Sequence, residues 1–141
     1  MRALETAKTI RGSLPIQLDT RWREFAFGQW EGLTWEQIVE RWPEAQGVTA
    51  HSYAPPGGET FAAVRERVGA AIDELVAGGY DHVLVATHAG PLHAMLHYIF
   101  SEEQAELHEL LGVRFTPASI TRIAIDRDGA ELVSLNDVSH L

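Results

Sequence analysis

Hydrophobic residues recur along the chain at spacings that predict helices in some segments and strands in others. Apolar residues three and four positions apart share one face of a helix. This spacing, together with capping residues and with glycine or proline stops, predicts helices over Arg2–Ile10, from Thr34 to Pro43, from about Glu59 to Gly78, from Pro91 through Ile99, and from Ser101 to Gly112.

The remaining apolar segments predict strands. A continuous apolar run at Val83–Ala86 predicts a parallel strand that is buried on both faces. Ile16–Leu18 predicts a short edge strand, and residues 119–125 and 131–135 predict a hairpin with its tight turn at Asp128-Gly129. Helices alternating with strands and ending in a hairpin indicate one α/β domain over 1–141, its sheet mostly parallel with an antiparallel edge.

Composition narrows the possible functions of the 141 residues. A net charge of −9 argues against nucleic acid and against an anionic membrane surface, since both need clustered Lys and Arg. It still allows a small phosphorylated substrate, for which one local cationic pocket is sufficient. The absence of Cys excludes disulfides, thiolate nucleophiles and Cys-based zinc sites. The sequence shows no signal-peptide core or long apolar span, so we expect a cytoplasmic protein.

Three residues are candidates for phosphate chemistry. His88 follows the predicted strand Val83–Ala86 and precedes the helix that Pro91 opens, where anions collect in open α/β sheets. Glu24 lies in an aromatic-rich loop, where apolar neighbours favour the protonated form of a carboxyl group and suit it to donate a proton. Arg2 could clamp a phosphate with its planar guanidinium. The plainer alternatives are a loop His bonded to a carbonyl, a solvated Glu and a frayed terminal Arg.

Other site chemistries fit the sequence less well. His93 and His97 lie on one helical face at a spacing that can bind zinc, yet no third ligand is obvious. The chain has no Gly-x-Ser-x-Gly motif of a serine hydrolase, and its Pro-Pro-Gly-Gly loop at 55–58 does not have the P-loop pattern. We therefore expect neither a metal nor another cofactor.

Several segments occur in an order that is typical of one family. They are Arg-Ala-x-Glu-Thr-Ala at 2–7, Arg-Glu-Phe-Ala-Phe-Gly-Gln-Trp-Glu-Gly at 23–32, Pro-Gly-Gly-Glu-Thr at 56–60 followed by Arg-Val at 67–68, Val-Ala-Thr-His-Ala-Gly at 85–90, and Leu-Asn-Asp-x-x-His-Leu at 135–141. The series resembles the histidine phosphatase (phosphoglycerate-mutase-like) superfamily. Its short insertions resemble the small phosphatases, including alpha-ribazole-phosphate phosphatase, more than the longer glycolytic mutases. The resemblance implies a three-layer α/β/α fold.

The resemblance also implies a role for each matched residue. Glu24 would donate a proton to the leaving oxygen, and His88 would stabilise the charged oxygens during phosphoryl transfer. Arg67 would be a structural partner rather than a ligand. The implied substrate-binding residues are Arg2, His88, Ala89, Gly58 and Glu59.

One departure from the family pattern concerns the nucleophile. The family is defined by an Arg-His-Gly motif at the end of its first strand, whose His becomes phosphorylated, and this sequence contains no Arg-His-Gly. We therefore expect a domain without its first strands, on the order of forty to fifty residues shorter at the N-terminus. The lost strand would lie beside the one that leads to His88, leaving apolar strand edges open. No spacing argument makes His51 or His93 a substitute nucleophile.

Taken with the resemblance, the sequence predicts a phosphomonoesterase that acts on a small phosphate ester through a phosphohistidine and is inactive as these 141 residues. Two alternatives remain open: a non-catalytic module that binds a phosphorylated ligand or a partner chain, and a mutase-type phosphotransferase, which the short loops disfavour. The expected partner is a small phosphorylated molecule. The sequence leaves the oligomeric state open, with a homodimer among the options.

Overall fold

A computed structural model describes residues 2–47, 54–100 and 113–141 of the chain. The elements of these ranges are the helices and strands α1 (Arg2–Ile10), α2 (Trp35–Arg41), α3 (Phe61–Ala77), α4 (Ala89–Ile99), β1 (Ile120–Asp126) and β2 (Gly129–Asp137). Short 3-10 turns at Thr20–Trp22, Gly28–Trp30 and Pro43–Ala45 lie in the loops. The helix predicted from Ser101 to Gly112 lies outside the described residues, as does His51.

The predicted helices within the described ranges are confirmed, and local signals set their ends. Thr34 and Gln37 form a capping box at the start of α2, in which each side chain bonds the other residue's backbone N–H. Thr60 caps α3 by accepting a hydrogen bond from the Ala63 N–H at 3.1 Å, and Gly78 ends that helix. The fourth helix begins at Ala89, two residues before the predicted start.

The predicted hairpin is confirmed, with its turn displaced by one residue. β1 and β2 pair antiparallel, and Asp126 lies opposite Gly129. The two-residue loop is therefore 127–128 rather than Asp128-Gly129. Asp126 Oδ1 accepts hydrogen bonds from the backbone N–H groups of Asp128 and Gly129 at 2.8 and 3.1 Å, which explains the shift.

Two predicted strands are wrong for the described part of the chain. Residues 83–86 are not paired with any described strand, and Val83 and Leu84 are 48% and 66% exposed instead of buried. Ile16–Leu18 is likewise an unpaired loop. The physical reason is that a strand exists only through hydrogen bonds to a neighbour, and β1 and β2 bond only to each other within the described ranges. The mostly parallel sheet is thus absent from this part of the structure, whereas the antiparallel edge is present.

Helix α4 lies between α3 and the hairpin, and its two faces form the two hydrophobic clusters of the described residues. One cluster joins α3 to α4 and to the loop that carries Phe25; its buried members are Phe25, Val64, Val68, Ile72 and Ala94. The other joins α4 to the hairpin through Leu96 and Phe100, which pack against Phe115, Ile123, Leu132 and Leu135. The middle and the C-terminal end of α4 are therefore packed from both sides.

Helix α1 packs loosely in comparison. None of its residues is buried, and the side chains that surround a shallow groove beside it are Leu4, Lys8, Arg11, Ile16 and Leu18. No helix in the described ranges is both long and apolar enough to cross a bilayer.

Candidate active site

The loop that precedes Glu24 is tied to helix α3 by Arg67. The Arg67 side chain is 12% exposed, and its Nη1 atom donates to the carbonyl oxygens of Arg21 and, at 2.9 Å, of Arg23. Its Nη2 atom lies 3.4 Å from the Glu24 carbonyl oxygen. One planar guanidinium thus holds three carbonyl groups of the same loop, which fixes the backbone from which the Glu24 side chain extends.

Glu59 holds Arg67 in place. Its carboxylate accepts hydrogen bonds from Arg67 Nε and Nη2 at 2.9 and 3.0 Å, from Arg23 Nη2 at 2.6 Å, and from the Ala26 N–H at 3.0 Å. Burial disfavours the charged form of Glu59, but these hydrogen bonds and the positive charges of Arg67 and Arg23 outweigh it. They hold the pKa of the Glu59 carboxyl below its ordinary value. Glu59 is therefore a structural anion in this loop cluster.

Glu24 reaches the N-terminus of helix α4. Its Oε1 atom accepts hydrogen bonds from the Phe25 N–H at 2.9 Å and from the Gly90 N–H at 3.1 Å. A second link between this loop and the residues before α4 is the Thr87 hydroxyl, which donates to the Trp22 carbonyl at 2.7 Å. Gly90 has no side chain at the point where the carboxylate sits, and a Cβ there would collide with Glu24 Oε1. The helix end and the carboxylate therefore fit each other closely.

His88 is the N-cap residue of α4, with an extended backbone (φ −130°, ψ 170°). Its carbonyl accepts a hydrogen bond from the Leu92 N–H at 3.2 Å, while its half-buried ring makes no hydrogen bond to another described residue. The Ala89 N–H, the first of the helix, also has no acceptor among the described residues. The Ala89 N–H and the partial positive charge of the helix N-terminus lie next in sequence to the Gly90 N–H that contacts Glu24, and they suit an anionic oxygen.

Gly58 lies where two loops touch. The Gln29 N–H donates to the Pro56 carbonyl at 2.9 Å, and the Glu59 N–H donates to the Ala26 carbonyl at 2.8 Å. A Cβ on Gly58 would lie 2.6 Å from the Ala26 oxygen, so only glycine permits this approach. The structure thus places Gly58 in the loop contact, and a role in binding substrate stays a prediction.

Arg2 is separate from this constellation in the described contacts. It is the exposed first residue of α1, and its side chain makes no hydrogen bond or ion pair with the part of the chain that the structure describes. Its predicted role in binding phosphate stays a prediction.

His93 and His97, the two histidines of α4, pack against aromatic rings of neighbouring segments. His97 is buried, and its ring contacts that of Phe61 at a centroid distance of 4.9 Å; the rings of His93 and Phe115 are 5.0 Å apart. Within residues 2–47, 54–100 and 113–141, no group of three or more His, Asp or Glu side chains could hold a metal ion.

The sequence motifs identified Glu24 and His88, and the family resemblance implied a structural role for Arg67, but neither indicated the clamp that Arg67 forms with Glu59. These two residues are eight positions apart, one just before the cap of α3 and the other two turns into it.

Residues 1–138 match the profile of the histidine phosphatase superfamily, branch 1. The chain belongs to this superfamily. It is 34% identical over 140 residues to a bifunctional protein of Mycobacterium tuberculosis, covering 95% of this chain and 37% of the relative. It is 36% identical over 107 residues to the glucosyl-3-phosphoglycerate phosphatase of M. tuberculosis, covering 67% of this chain and 48% of that enzyme. The chain thus spans less than half the length of these two relatives.

Solved structures agree with the family assignment. The Bacillus stearothermophilus protein YhfR superimposes with a TM-score of 0.84 at 32% identity, over 99% of this chain and 71% of that one. The mycobacterial glucosyl-3-phosphoglycerate phosphatase in complex with VO3 gives a TM-score of 0.80 at 30% identity, over 96% of this chain and 72% of that one. Alpha-ribazole phosphatase from Shigella flexneri shares the fold, with a TM-score of 0.76 at 24% identity over 96% of this chain and 69% of that one. The predicted phosphoglycerate-mutase-like α/β fold is therefore confirmed, in a histidine phosphatase chain shorter than these neighbours.

Proposed function

We propose that the chain contributes the acid and the anion-binding half of a phosphomonoesterase that acts on a small phosphate ester through a phosphohistidine. The observation that carries the proposal is the contact between the Glu24 carboxylate and the first turn of α4, directly beside His88. A potential proton donor and a set of N–H donors for anionic oxygens thus meet at one helix end. The phosphatases named among the relatives support the same reaction class.

In the proposed reaction, a nucleophilic His nitrogen attacks phosphorus and the bond from phosphorus to the ester oxygen breaks. Glu24 in its protonated form gives its proton to that leaving oxygen, so the product leaves as an alcohol. His88 and the Ala89 N–H stabilise the charge on the other phosphoryl oxygens. Water then attacks the phosphohistidine, the carboxylate of Glu24 accepts a proton from it, and inorganic phosphate leaves.

The nucleophile of this scheme is not among the 141 residues, which hold no Arg-His-Gly. We propose that these residues alone bind phosphate without turning over an ester, because covalent transfer requires a nucleophile held in line with its target. Arg2 is proposed to complete the phosphate contacts, with Gly58 and Glu59 at the rim of the pocket. The scheme requires no metal or other cofactor, and we propose a cytoplasmic location.

The test joins the 141 residues to the segment of a longer relative that carries Arg-His-Gly and measures the release of inorganic phosphate from glycerol 2-phosphate, an alkyl ester whose leaving oxygen requires a proton. Activity should appear only in the fusion, with a phosphohistidine visible by 31P NMR. Glu24→Gln should lower kcat on the order of 10²-fold or more, as should His88→Ala. Glu40→Gln and His82→Ala, on exposed side chains of α2 and of the loop after α3, are the matched controls and should change little. A fusion in which Glu24→Gln and His88→Ala retain full activity would refute these roles.

The absence of Arg-His-Gly from the sequence favours a second candidate, a non-catalytic module that binds phosphorylated ligands. It predicts that the 141 residues bind vanadate or phosphate in calorimetry, are monodisperse, and stay inactive in the fusion. Activity in the fusion supports the phosphatase instead.

A further inference from the structure

We infer that Arg67 is a positioning residue for Glu24, which it aligns on the α4 N-terminus through the backbone of the loop 21–24. The catalytic part of this inference rests on the proposed function, whereas the positioning itself does not. Arg67 touches neither the Glu24 carboxylate nor the first turn of α4 through any described hydrogen bond. It acts on the carbonyl groups that set where the side chain begins.

The geometry gives Arg67 little freedom. Its side chain is 12% exposed and that of Glu59 is 14% exposed, and two parallel hydrogen bonds of 2.9 and 3.0 Å join them. This bidentate arrangement fixes the plane of the guanidinium, and its remaining N–H groups point at the carbonyls of Arg21, Arg23 and Glu24. A lysine has the same charge but only a compact ammonium group, so it cannot hold the carboxylate in two places and the loop in three.

The Glu24 carboxylate, at the other end of this series of contacts, has equally little freedom. Glu24 Oε1 sits 3.1 Å from the Gly90 nitrogen, in a space that a single Cβ would close. Because a shift of the loop by about 1 Å would break this hydrogen bond, the position of the carboxylate depends on the clamp at its other end. The Thr87 hydroxyl holds Trp22 but does not reach the Glu24 backbone, so it cannot replace Arg67.

The test follows the Gly90 amide by NMR in the 141-residue chain, a signal that needs no phosphatase activity. In the wild type, protonation of Glu24 weakens its hydrogen bond from Gly90, so the amide resonance should move as the pH is lowered. Glu24→Gln should abolish this movement and thereby assign it. In Arg67→Lys we expect most of the movement to be lost, because the carboxylate no longer rests on the amide. Arg65→Lys, an exposed Arg on the same helix, is the matched control and should behave as the wild type.

A purely structural role would lower the melting temperature of Arg67→Lys while leaving the Gly90 titration unchanged, and that outcome overturns the inference. If Arg67→Lys does not fold, Glu59→Gln takes its place, since Arg67 then keeps its charge and loses its ionic partner. A reduced titration at Gly90 in that variant supports the inference, and an unchanged one overturns it.

The kinetic consequence is measured in the active fusion. Arg67→Lys should lower kcat on the order of 10- to 100-fold with little change in KM, because the acid is displaced while the phosphate contacts remain. If the wild-type fusion is inactive, the proposed function fails, and the Gly90 titration still decides whether Arg67 positions Glu24.

Discussion

The fit between Gly90 and Glu24 makes a quantitative prediction for the variant Gly90→Ala. A Cβ at this position would collide with the Glu24 carboxylate oxygen and lie 3.3 Å from the Phe25 Cβ. The carboxylate must therefore move away from the end of α4, and the Gly90 N–H loses its acceptor. We expect the variant to be less stable although alanine is the better helix former.

The magnitude follows from two opposing contributions. Loss of a hydrogen bond to a charged group costs about 1.5–3 kcal/mol, and the half-buried position of Glu24 places the loss near the lower end. Alanine in place of glycine contributes up to ~1 kcal/mol in the opposite direction, and less in the first turn of a helix. The free energy of unfolding should therefore fall by about 1 kcal/mol, which lowers the melting temperature by about 4 °C in a chain of this size.

A double-mutant cycle tests whether the contact with Glu24 causes the destabilisation by Gly90→Ala. Urea unfolding at neutral pH, followed by the fluorescence of the four Trp residues, gives the stability of the wild type, Gly90→Ala, Glu24→Ala and the double variant. Without the carboxylate, Gly90→Ala should be neutral or stabilising by up to ~1 kcal/mol. The coupling energy should then be about 1–2 kcal/mol. Equal destabilisation in both backgrounds would refute the position of Glu24 on the helix end.

Three further predictions concern stability and association. Glu59→Gln should destabilise the chain by about 2 kcal/mol at neutral pH. Because the pKa of Glu59 is lowered in the folded state, the difference in urea midpoint between this variant and the wild type should shrink as the pH falls below about 4. The Ser139 N–H donates to Asp137 at 2.9 Å and holds the pKa of Asp137 at about 2. In the same assay, Asp137→Asn should therefore be less stable than the wild type by its full amount above about pH 4, and this difference should vanish as the pH falls through about 2. Leu84→Lys changes an exposed residue of the segment 83–86, which pairs with no described strand, and it should reduce self-association in light scattering without lowering the melting temperature. Leu14→Lys, at another exposed Leu, is the control, and equal scattering by the two variants would contradict the prediction.

The elements that the sequence predicted correctly are those whose signals are local. Thr34 and Gln37 specify the start of α2 within four residues, and Thr60 with Gly78 brackets α3 in the same way. The hairpin depends on a short turn between two apolar segments, and the pattern located it to within one residue. In each case the free energy that decides the structure comes from groups that are neighbours in the sequence.

Features that depend on partners distant in the sequence could not be predicted from it. Val83–Ala86 has the composition of a buried strand, yet composition does not supply a neighbouring strand, and Val83 and Leu84 stay exposed in the described structure. The role of Glu59 escaped for a related reason. Its motif suggested the rim of a pocket, whereas its carboxylate accepts hydrogen bonds from Arg67, Arg23 and the Ala26 N–H. The contacts with Arg23 and Ala26 arise only when the loop 23–32 meets the loop 56–60.

The segments 23–32 and 56–60 are separate in the sequence but act as one physical unit. The Ala26 N–H donates to the Glu59 side chain while the Ala26 carbonyl accepts from the Glu59 N–H, so both backbone groups of Ala26 are bonded to Glu59. Gly28 adopts a positive φ of 52° against Pro56 and Gly58, an approach that no side chain would allow. A change in the loop 56–60 must therefore move the loop of Glu24 as well. In the proposed phosphatase, a substitution in the loop 56–60 should therefore also change the alignment of Glu24, because hydrogen bonds join the two loops.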